Sequence, residues 1–262
     1  MIGLIERLGD EFLYLLEDVG RAGIFLFFSI VGIFKPPFKL HTVLKQIQFI
    51  GASSIFVIFF TAGFTGMVLG LQGYHTLRQF GSEGLLGSAV ALSLIRELGP
   101  VLTALMVTGR AGSAICAEVG IMRITQQIDA LECMGIDPFR FFLAPKYVAA
   151  LISLPMLTFF FDVVGIYGGY LVGVKLLGLS PGAYFDSMQR SIVFKDITMG
   201  LIKSIFFGLQ IVWICAFTGY TVELRRRPVF GAEGVSRATT TAVVLSSVFI
   251  LAWDYLLTAV LL

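Results

Sequence analysis

Charged side chains are scarce in this sequence of 262 residues: Asp, Glu, Lys and Arg make up 14% of the chain, and 57% of the residues are hydrophobic. Soluble domains usually carry about 25% charged residues. The scarcity excludes an ordinary soluble protein. It predicts a membrane protein with several spans, in a chain too short for a second large soluble domain. The net charge of +2 gives no indication of a nucleic-acid partner.

Cysteine and histidine are also rare. The three cysteines, Cys116, Cys133 and Cys215, are odd in number and scattered, which argues against a disulfide framework. The two histidines, His41 and His75, lie too far apart in sequence to indicate a metal pair. We therefore expect no metal site in this chain.

Motifs of two common enzyme classes are missing. The sequence has no phosphate loop of the form GxxxxGK[ST] and no nucleophile elbow of a hydrolase. We therefore expect the chain to bind no cofactor and to catalyse no ATP hydrolysis. A transporter built from it would be passive or ion-coupled, or a separate ATPase would supply its energy.

Five apolar segments are each longer than the roughly 20 residues that a membrane-spanning helix needs. They are residues 47–71, 85–117, 147–174, 197–222 and 238–262. Residues 3–20 have an apolar stripe and a charged face, which predicts a helix in the headgroup plane or one packed on protein. Residues 22–34 are too short to span and predict an elbow that dips into the membrane.

These segments together predict an all-α integral membrane protein with N-terminal interfacial and elbow helices and about five transmembrane helices. We treat residues 1–262 as one domain, in which residues 1–46 form the amphipathic and elbow helices. Residues 47–262 would form the transmembrane bundle.

Small residues repeat every four positions in two of the predicted spans. Gly66 and Gly70 lie in the first span, and Gly165, Gly169 and Gly173 lie in the third. Such faces allow close approach of another helix, although glycine is also tolerated in lipid. They are candidates for helix packing or for contact with a second copy.

Several charged residues interrupt the predicted spans. A charge at membrane depth costs at least ~2.5 kcal/mol on insertion scales, so it usually pairs or faces a cavity. Arg96 and Glu97 point about 100° apart on a helix, so we expect each to pair with other groups at least as much as with the other. Lys203 is expected to snorkel. Asp162 and Asp254 are either hydrogen-bonded packing residues or proton carriers.

A polar stretch, residues 117–146, separates the second and third spans. It predicts a short amphipathic helix that Thr125 caps and that ends at Gly135. One face would pack on the protein, and the other could dock a partner or simply form an interfacial loop. The candidate docking residues are Thr125, Gln126, Ile128, Asp129, Leu131, Glu132, Met134 and Gly135.

The distribution of basic residues predicts the orientation of the chain. One side would hold Lys35, Lys39, Lys45, Arg123, Arg140, Lys146, Arg225, Arg226, Arg227 and Arg237. The other would hold Arg78, Lys175, Arg190 and Lys195. The N-terminus and the polar helix are therefore expected in the cytoplasm, and the C-terminus outside.

Six segments occur in an order that is typical of one family. They are GMVLGLQGY, LSLIRELGPVLTALMVTGRAGSAICAEVGIMRITQQIDALECMGIDPFRFFLAPK, SLPML, GGYLVGV, LIKS and GVSRATTTAVV. Together they resemble the MlaE/YrbE family, the permease subunits of ABC-type phospholipid transporters that work with MCE-domain proteins. The family often has Glu where this chain has Gln126, and the loss of that acid removes a helix-dipole contribution of ~0.3–1 kcal/mol.

The resemblance implies a homodimeric, multi-pass permease in a bacterial inner membrane. It would move phospholipids between the inner and outer membranes of a Gram-negative-type envelope and maintain outer-membrane lipid asymmetry. The polar helix would be the coupling helix for an MlaF-like ATPase that holds ATP and magnesium. An MlaB-like STAS protein would bind the ATPase, and a hexameric MlaD-like MCE protein would cover the outer side.

A phospholipid needs apolar walls for its tails and polar groups near its headgroup. The candidate cavity residues are Leu69, Gln72, Tyr74, Leu77, Phe80, Arg96 and Glu97. Arg96 and Glu97 either set the polar end of this slot or brace a kinked helix. Two other functions stay open at this point: an ion-coupled transporter that uses Asp162 and Asp254, and a non-transporting scaffold for an MCE protein.

Overall fold

The computed structural model describes residues 2–34, 40–224 and 231–261, and helices account for nearly all of them. Eleven α-helices are described: α1 (Ile2–Phe34), α2 (Leu40–Ile50), α3 (Ile55–Gln79), α4 (Leu86–Ser93), α5 (Gly99–Val107), α6 (Ser113–Ile124), α7 (Gln127–Cys133), α8 (Ala144–Tyr170), α9 (Pro181–Ser191), α10 (Phe194–Tyr220) and α11 (Gly231–Leu261). Wider π-helical turns occur at Leu94–Leu98, Thr108–Gly112, Phe139–Leu143 and Leu171–Leu176. Within the described ranges the fold contains no β-strand.

Five continuous helical stretches are long and apolar enough to cross a membrane. They are Leu40–Gln79, Glu83–Ile124, Phe139–Leu176, Phe194–Tyr220 and Gly231–Leu261. The all-α fold and the five predicted spans are confirmed. The predicted basic residues Lys35, Lys39 and Arg225 to Arg227 lie outside the described residues.

The N-terminal region forms one helix, α1, where the sequence predicted two separate segments. The glycines near the expected boundary do not break it, because its second half packs on the bundle. Phe25 is buried against Phe139, Phe217 and Tyr220. The indole of Trp213 also donates to the carbonyl oxygen of Ala22 at 3.0 Å. Packing therefore outweighs the weak helix propensity of glycine, about 1 kcal/mol per residue.

The two glycine faces meet within a single chain, between α3 and α8. A methyl group built on Gly66 would lie 1.9 Å from the carbonyl oxygen of Gly165, and one on Gly70 would lie 3.0 Å from the Cα of Gly169. A methyl group on Gly173 would lie 2.6 Å from a methyl carbon of Leu86. This geometry assigns the glycines to packing inside the chain, so a second copy would have to use another face.

The second span is continuous but contains two π-helical turns, one of which ends just before Pro100. Pro100 has no N–H, and in a regular α-helix its ring would collide with the carbonyl of Arg96. The wider turn Leu94–Leu98 closes with a bond from the Gly99 N–H to the Leu94 carbonyl. The distortion that Pro100 imposes is therefore accommodated by an inserted residue rather than by a helix end.

The short helix α9 lies between the third and fourth spans. It begins where Ser180 occupies the N-cap position and Pro181 the first helical position, a common sequence at the start of a helix. Tyr184 anchors it: the side chain is fully buried, and its hydroxyl donates to the carbonyl oxygen of Ile166 at 3.0 Å. This burial raises the pKa of the Tyr184 phenol well above its ordinary value. The link between these spans is thus packed against the bundle.

Candidate functional site

Charged side chains from the second and fourth spans meet where α10 begins. Arg96 lies in the π-helical turn, and its Nε donates to Oδ1 of Asp196 at 2.8 Å. The Nη2 of Arg96 lies 2.8 Å from the same oxygen. The other oxygen of Asp196, Oδ2, accepts from the N–H of Val193 at 3.0 Å and so satisfies a backbone donor at the start of α10.

Lys203 is the centre of a second group of charges in the same region. The residue is 0% exposed, and its Nζ lies 2.6 Å from Oε2 of Glu97 and 2.8 Å from Oδ1 of Asp254. The contact with Asp254 is an ion pair without hydrogen-bond geometry. The hydroxyl of Thr258 donates to Oε1 of Glu97 at 3.1 Å. One cation thus joins the second, fourth and fifth spans.

We refer to Arg96, Glu97, Asp196, Lys203 and Asp254 as the charged cluster. The expectation that Arg96 and Glu97 pair with other groups at least as much as with each other is confirmed, since their partners lie on α10 and α11. The expectation that Lys203 snorkels is wrong. Two acids hold its ammonium group inside the bundle, so it has no need to reach the membrane surface.

The cavity residues predicted on and just after α3 differ in burial. Tyr74 is buried, Leu69 and Leu77 are partly buried against the core, and Gln72 and Phe80 are exposed. Among the described residues, no hydrogen bond or ion pair joins Arg96 or Glu97 to α3.

Arg96 and Glu97 are not fully enclosed by their partners. Their side chains remain 37% and 38% exposed. The Nη1 of Arg96 has no acceptor in the part of the chain that the structure describes. Both residues hold helices together and still have exposed polar atoms. A bracing role is therefore compatible with a role at the polar end of a lipid slot.

The polar stretch forms α7, at the opposite end of α10 from the charged cluster. The prediction that Thr125 caps this helix is wrong, because its hydroxyl donates to the carbonyl oxygen of Ile121 at 2.7 Å and belongs to the end of α6. The residue before α7 is Gln126, with φ 57° and ψ 21° in the left-handed region. The reversal between α6 and α7 is thus made by backbone geometry.

The far end of α7 follows the sequence prediction. Gly135 has φ 72°, and the N–H of Ile136 donates to the carbonyl oxygen of Leu131 at 2.9 Å. A left-handed glycine with this backward bond is typical of a helix C-terminus. The helix therefore stops at a fixed place before Pro138.

The apolar side chains of α7 are divided between the core and the surface. Ile128 is fully buried and Leu131 is partly buried, whereas Met134 is 65% exposed. Ile136, just beyond the helix, is also exposed. Asp129 is half-exposed, and Glu132 is exposed. This part of the surface offers apolar and acidic groups side by side.

Arg123 fastens α7 to two spans. Its Nη1 donates to Oδ1 of Asp129 at 2.8 Å, and its Nε lies 3.6 Å from Oε2 of Glu223, just after α10. The guanidinium carbon lies 5.2 Å from the centre of the Tyr220 ring, within the range of a cation–π contact. Arg123 therefore connects the end of the second span, α7 and the end of the fourth span.

A second ion pair stabilises the same end of the bundle. Lys146 is almost fully buried, and its Nζ lies 2.6 Å from Oε2 of Glu118. It also lies 3.5 Å from Oε1 of Gln46. The first three spans are thus joined beside α7.

The helix α10 connects both charged regions. Asp196 and Lys203 lie in its first three turns, and Tyr220 is its last residue. At 1.5 Å per residue, the distance from Asp196 to Tyr220 along the axis is about 36 Å. One continuous helix therefore links the charged cluster to the residues that contact Arg123.

The contacts of Asp196, Arg123 and Thr258 with these groups do not follow from the sequence. Asp196 lies just before the predicted fourth span, and the sequence indicates only that Arg123 contributes to the orientation of the chain. The available signal was the pairing of an acid in one apolar segment with a base in another. The partners are separated by 100 residues in one case, so spacing alone does not identify them.

Comparisons with known proteins agree with these features. A family model described as Permease MlaE matches residues 43–260. The chain is 43% identical over 264 residues to the intermembrane phospholipid transport system permease protein MlaE of Haemophilus influenzae, covering 100% of this chain and 98% of that protein. It is 39% identical over 261 residues to a probable ABC transporter permease protein of Rickettsia typhi, with 100% and 98% coverage. It is also 34% identical over 223 residues to the chloroplastic protein TRIGALACTOSYLDIACYLGLYCEROL 1 of Arabidopsis thaliana, covering 84% of this chain and 62% of that protein.

Proposed function

Because the chain belongs to the MlaE permease family, we propose that it is the membrane-spanning subunit of an ATP-driven transporter that moves phospholipids between the two membranes of a bacterial envelope. The observation that carries the proposal is the similarity to a phospholipid transport permease over the whole length of the chain. The activity would maintain the lipid asymmetry of an outer membrane.

The proposed coupling element is α7, which would sit in a groove of a separate ATPase. Its exposed Met134 and the neighbouring Ile136 supply apolar contacts, and Glu132 supplies charge. Arg123 supports the proposal because it ties α7 to the second and fourth spans, so a push on α7 would reach the bundle. ATP and magnesium would belong to that partner and not to this chain.

Two copies of the chain would enclose the lipid path. The polar end of this path would be set by Arg96 and Glu97, whose side chains remain partly exposed. Its wall would be formed by residues on and just after α3: the apolar or aromatic Leu69, Tyr74, Leu77 and Phe80, with the polar Gln72 among them. The glycines between α3 and α8 are already occupied within one chain, so the contact between copies would use another surface.

We also propose the remaining members of the assembly. A hexameric MCE protein would cover the side where α10 begins and would contact α1. A STAS-domain protein would bind the ATPase. The chain would lie in the inner membrane with its N-terminus and α7 in the cytoplasm and its C-terminus in the periplasm.

The test is reconstitution of the purified chain into vesicles, with and without the ABC ATPase that copurifies with it. We expect a fluorescent phospholipid to leave the membrane only when the ATPase, magnesium and ATP are all present. Transport by the chain alone, driven by a proton gradient, would show instead an ion-coupled carrier. Normal assembly without lipid-stimulated ATP hydrolysis would show a scaffold.

A further inference from the structure

Seven acidic residues lie within the five candidate spans, and six of them are near a cation of the same chain. Glu83 pairs with Arg78, Glu97 and Asp254 with Lys203, Glu118 with Lys146, Asp196 with Arg96, and Glu233 with Arg237. The exception is Asp162 in the middle of α8. Within the described residues its carboxyl group has no ion pair, and Oδ1 is buried without a hydrogen-bond donor.

The position of this carboxyl group is closely defined by its neighbours. A methyl group built on Gly99 would lie 2.0 Å from Oδ1 of Asp162, so the group fits only because residue 99 is glycine. Oδ1 is buried, and Asp162 is one of the residues that line the adjoining cleft. The acid is therefore held in place against the π-helical turn of the second span.

The cleft beside Asp162 has a volume of about 150 Å³ and lies between α8, α10 and the π-helical turn. Apart from Asp162 its lining is almost wholly apolar, with Ile95, Pro155, Ile166 and Ile197 among the residues. Leu201 on its rim is 48% exposed on the outer surface of the bundle. Leu201 belongs to the candidate span Phe194–Tyr220, so the rim of the cleft lies within the part of the chain that would cross the membrane.

The depth of the cleft suits a lipid headgroup and the upper part of its chains. Its residues on α10 run from Ile197 to Ser204, which is about 5–15 Å below the first residue of that helix. The helix is about 40 Å long and the hydrocarbon core about 30 Å thick. The cleft therefore extends from the interface to roughly 10 Å inside the core.

We propose that this cleft is a lateral binding site for a phospholipid with a protonated primary amine in its headgroup, which donates to Asp162 while the acyl chains lie along the apolar rim. A divalent cation would need several more oxygen ligands than this cleft offers. A headgroup with only negative charge would be repelled. The cleft shares no lining residue with those proposed for the path between two copies, and the proposal depends on the membrane assignment, not on transport.

The test uses the full-length chain in nanodiscs of uniform composition, with a photoactivatable amino acid at Leu201. Phosphatidylethanolamine is compared with phosphatidylcholine, which has no amine N–H, and with phosphatidylglycerol. We expect the ethanolamine lipid to be crosslinked about tenfold more than the glycerol lipid, as one charge-assisted hydrogen bond allows. Crosslinking of the choline lipid should be intermediate. In Asp162→Asn the preference for the ethanolamine lipid should disappear.

Two controls separate this site from general contact with lipid. The same probe at Met156, which lines a neighbouring cleft without Asp162, should show no preference. Asp186→Asn, on exposed α9, should leave the preference at Leu201 unchanged. If Asp162→Asn does not fold, the proposal is still tested by the labelling of the three lipids in the otherwise native chain, with the probe at Leu201 or at Ile197.

Equal labelling by the three lipids would overturn the proposal and leave a proton as the occupant of Asp162. Equal labelling by the ethanolamine and choline lipids would also overturn it, since N–H donation would then be irrelevant. The experiment needs no ATPase, so its failure would not count against transport.

Discussion

The ammonium group of Lys203 donates to the backbone carbonyl oxygen of Arg96 at a distance of 2.9 Å. In an uninterrupted α-helix this carbonyl would accept from the N–H of residue 100, but residue 100 is a proline and has none. Lys203 therefore supplies a hydrogen bond that the sequence of the second span removes. The same ammonium group neutralises Glu97, so one buried side chain satisfies both the backbone and the charge.

Replacing Lys203 with methionine should destabilise the protein strongly. The change leaves Glu97 and Asp254 close together without a cation and the Arg96 carbonyl without a donor. Removal of one member of a buried pair costs about 3–5 kcal/mol, and the partial exposure of Glu97 favours the lower end of this range. Thermal unfolding in detergent measures the effect.

Two variants control this experiment. Lys175→Met, which removes an exposed lysine, should have little effect. A triple variant that adds Glu97→Gln and Asp254→Asn to Lys203→Met should recover much of the loss, because no buried charge is then unpaired. A triple variant as unstable as the single one would show that lysine acts mainly through packing.

Replacing Gly66 with alanine should prevent close packing of α3 and α8. The new methyl group would lie 1.9 Å from a backbone oxygen, which no side-chain rotation can relieve. Overpacking of this kind typically costs about 1–3 kcal/mol of stability. Because the contact is with rigid backbone, we expect a cost at or above the upper end of this range. The yield of monodisperse protein in detergent is the measurement.

Gly63→Ala is the matched control, since it adds the same methyl group one turn away on the same helix. The nearest atom there is a methyl carbon of Val164 at 3.9 Å, an ordinary contact. Near-native yield for Gly63→Ala and loss for Gly66→Ala would locate the effect in packing. Similar losses for both would indicate instead a general cost of changing glycine in this helix.

The sequence predicted the architecture because each span is a long apolar run with distinct polar ends. The five spans, the helix after Ser180 and the stop at Gly135 all follow from local signals. The glycine repeats indicated close packing without naming the partner face. That face depends on which spans are neighbours, and local sequence does not contain this information.

The details of the charged cluster were less accessible to sequence reasoning. Each charged residue in a span could be recognised, but the choice of partner depends on three-dimensional neighbours such as Asp196 for Arg96. The continuous helix α1 was missed because tertiary packing at Phe25 outweighs two glycines. The prediction that Thr125 caps α7 was wrong because the chain reverses at a left-handed Gln126, which is uncommon and which no local signal indicates.

Replacing Gln126 with glycine should stabilise the connection between α6 and α7. Its left-handed φ of 57° costs a residue with a side chain about 1 kcal/mol or more, and glycine adopts it freely. Hydrogen exchange of the α7 amides should slow by about fivefold for a gain of 1 kcal/mol. Gln126→Val should accelerate it, and identical exchange in both variants would exclude strain at this position.

The link between Asp129 and Arg123 should matter more for coupling than for folding. Asp129 is half-exposed, so Asp129→Asn should cost no more than about 1 kcal/mol of stability. If α7 transmits force, the variant should keep ATP hydrolysis in the reconstituted assembly and move several-fold less lipid per ATP. Asp186→Asn, which removes a paired acid from the exposed helix α9, is the control and should leave this ratio unchanged. A fall in hydrolysis and transport together would point to weaker docking of the ATPase, whereas an unchanged ratio would remove the Arg123 link from the path of coupling.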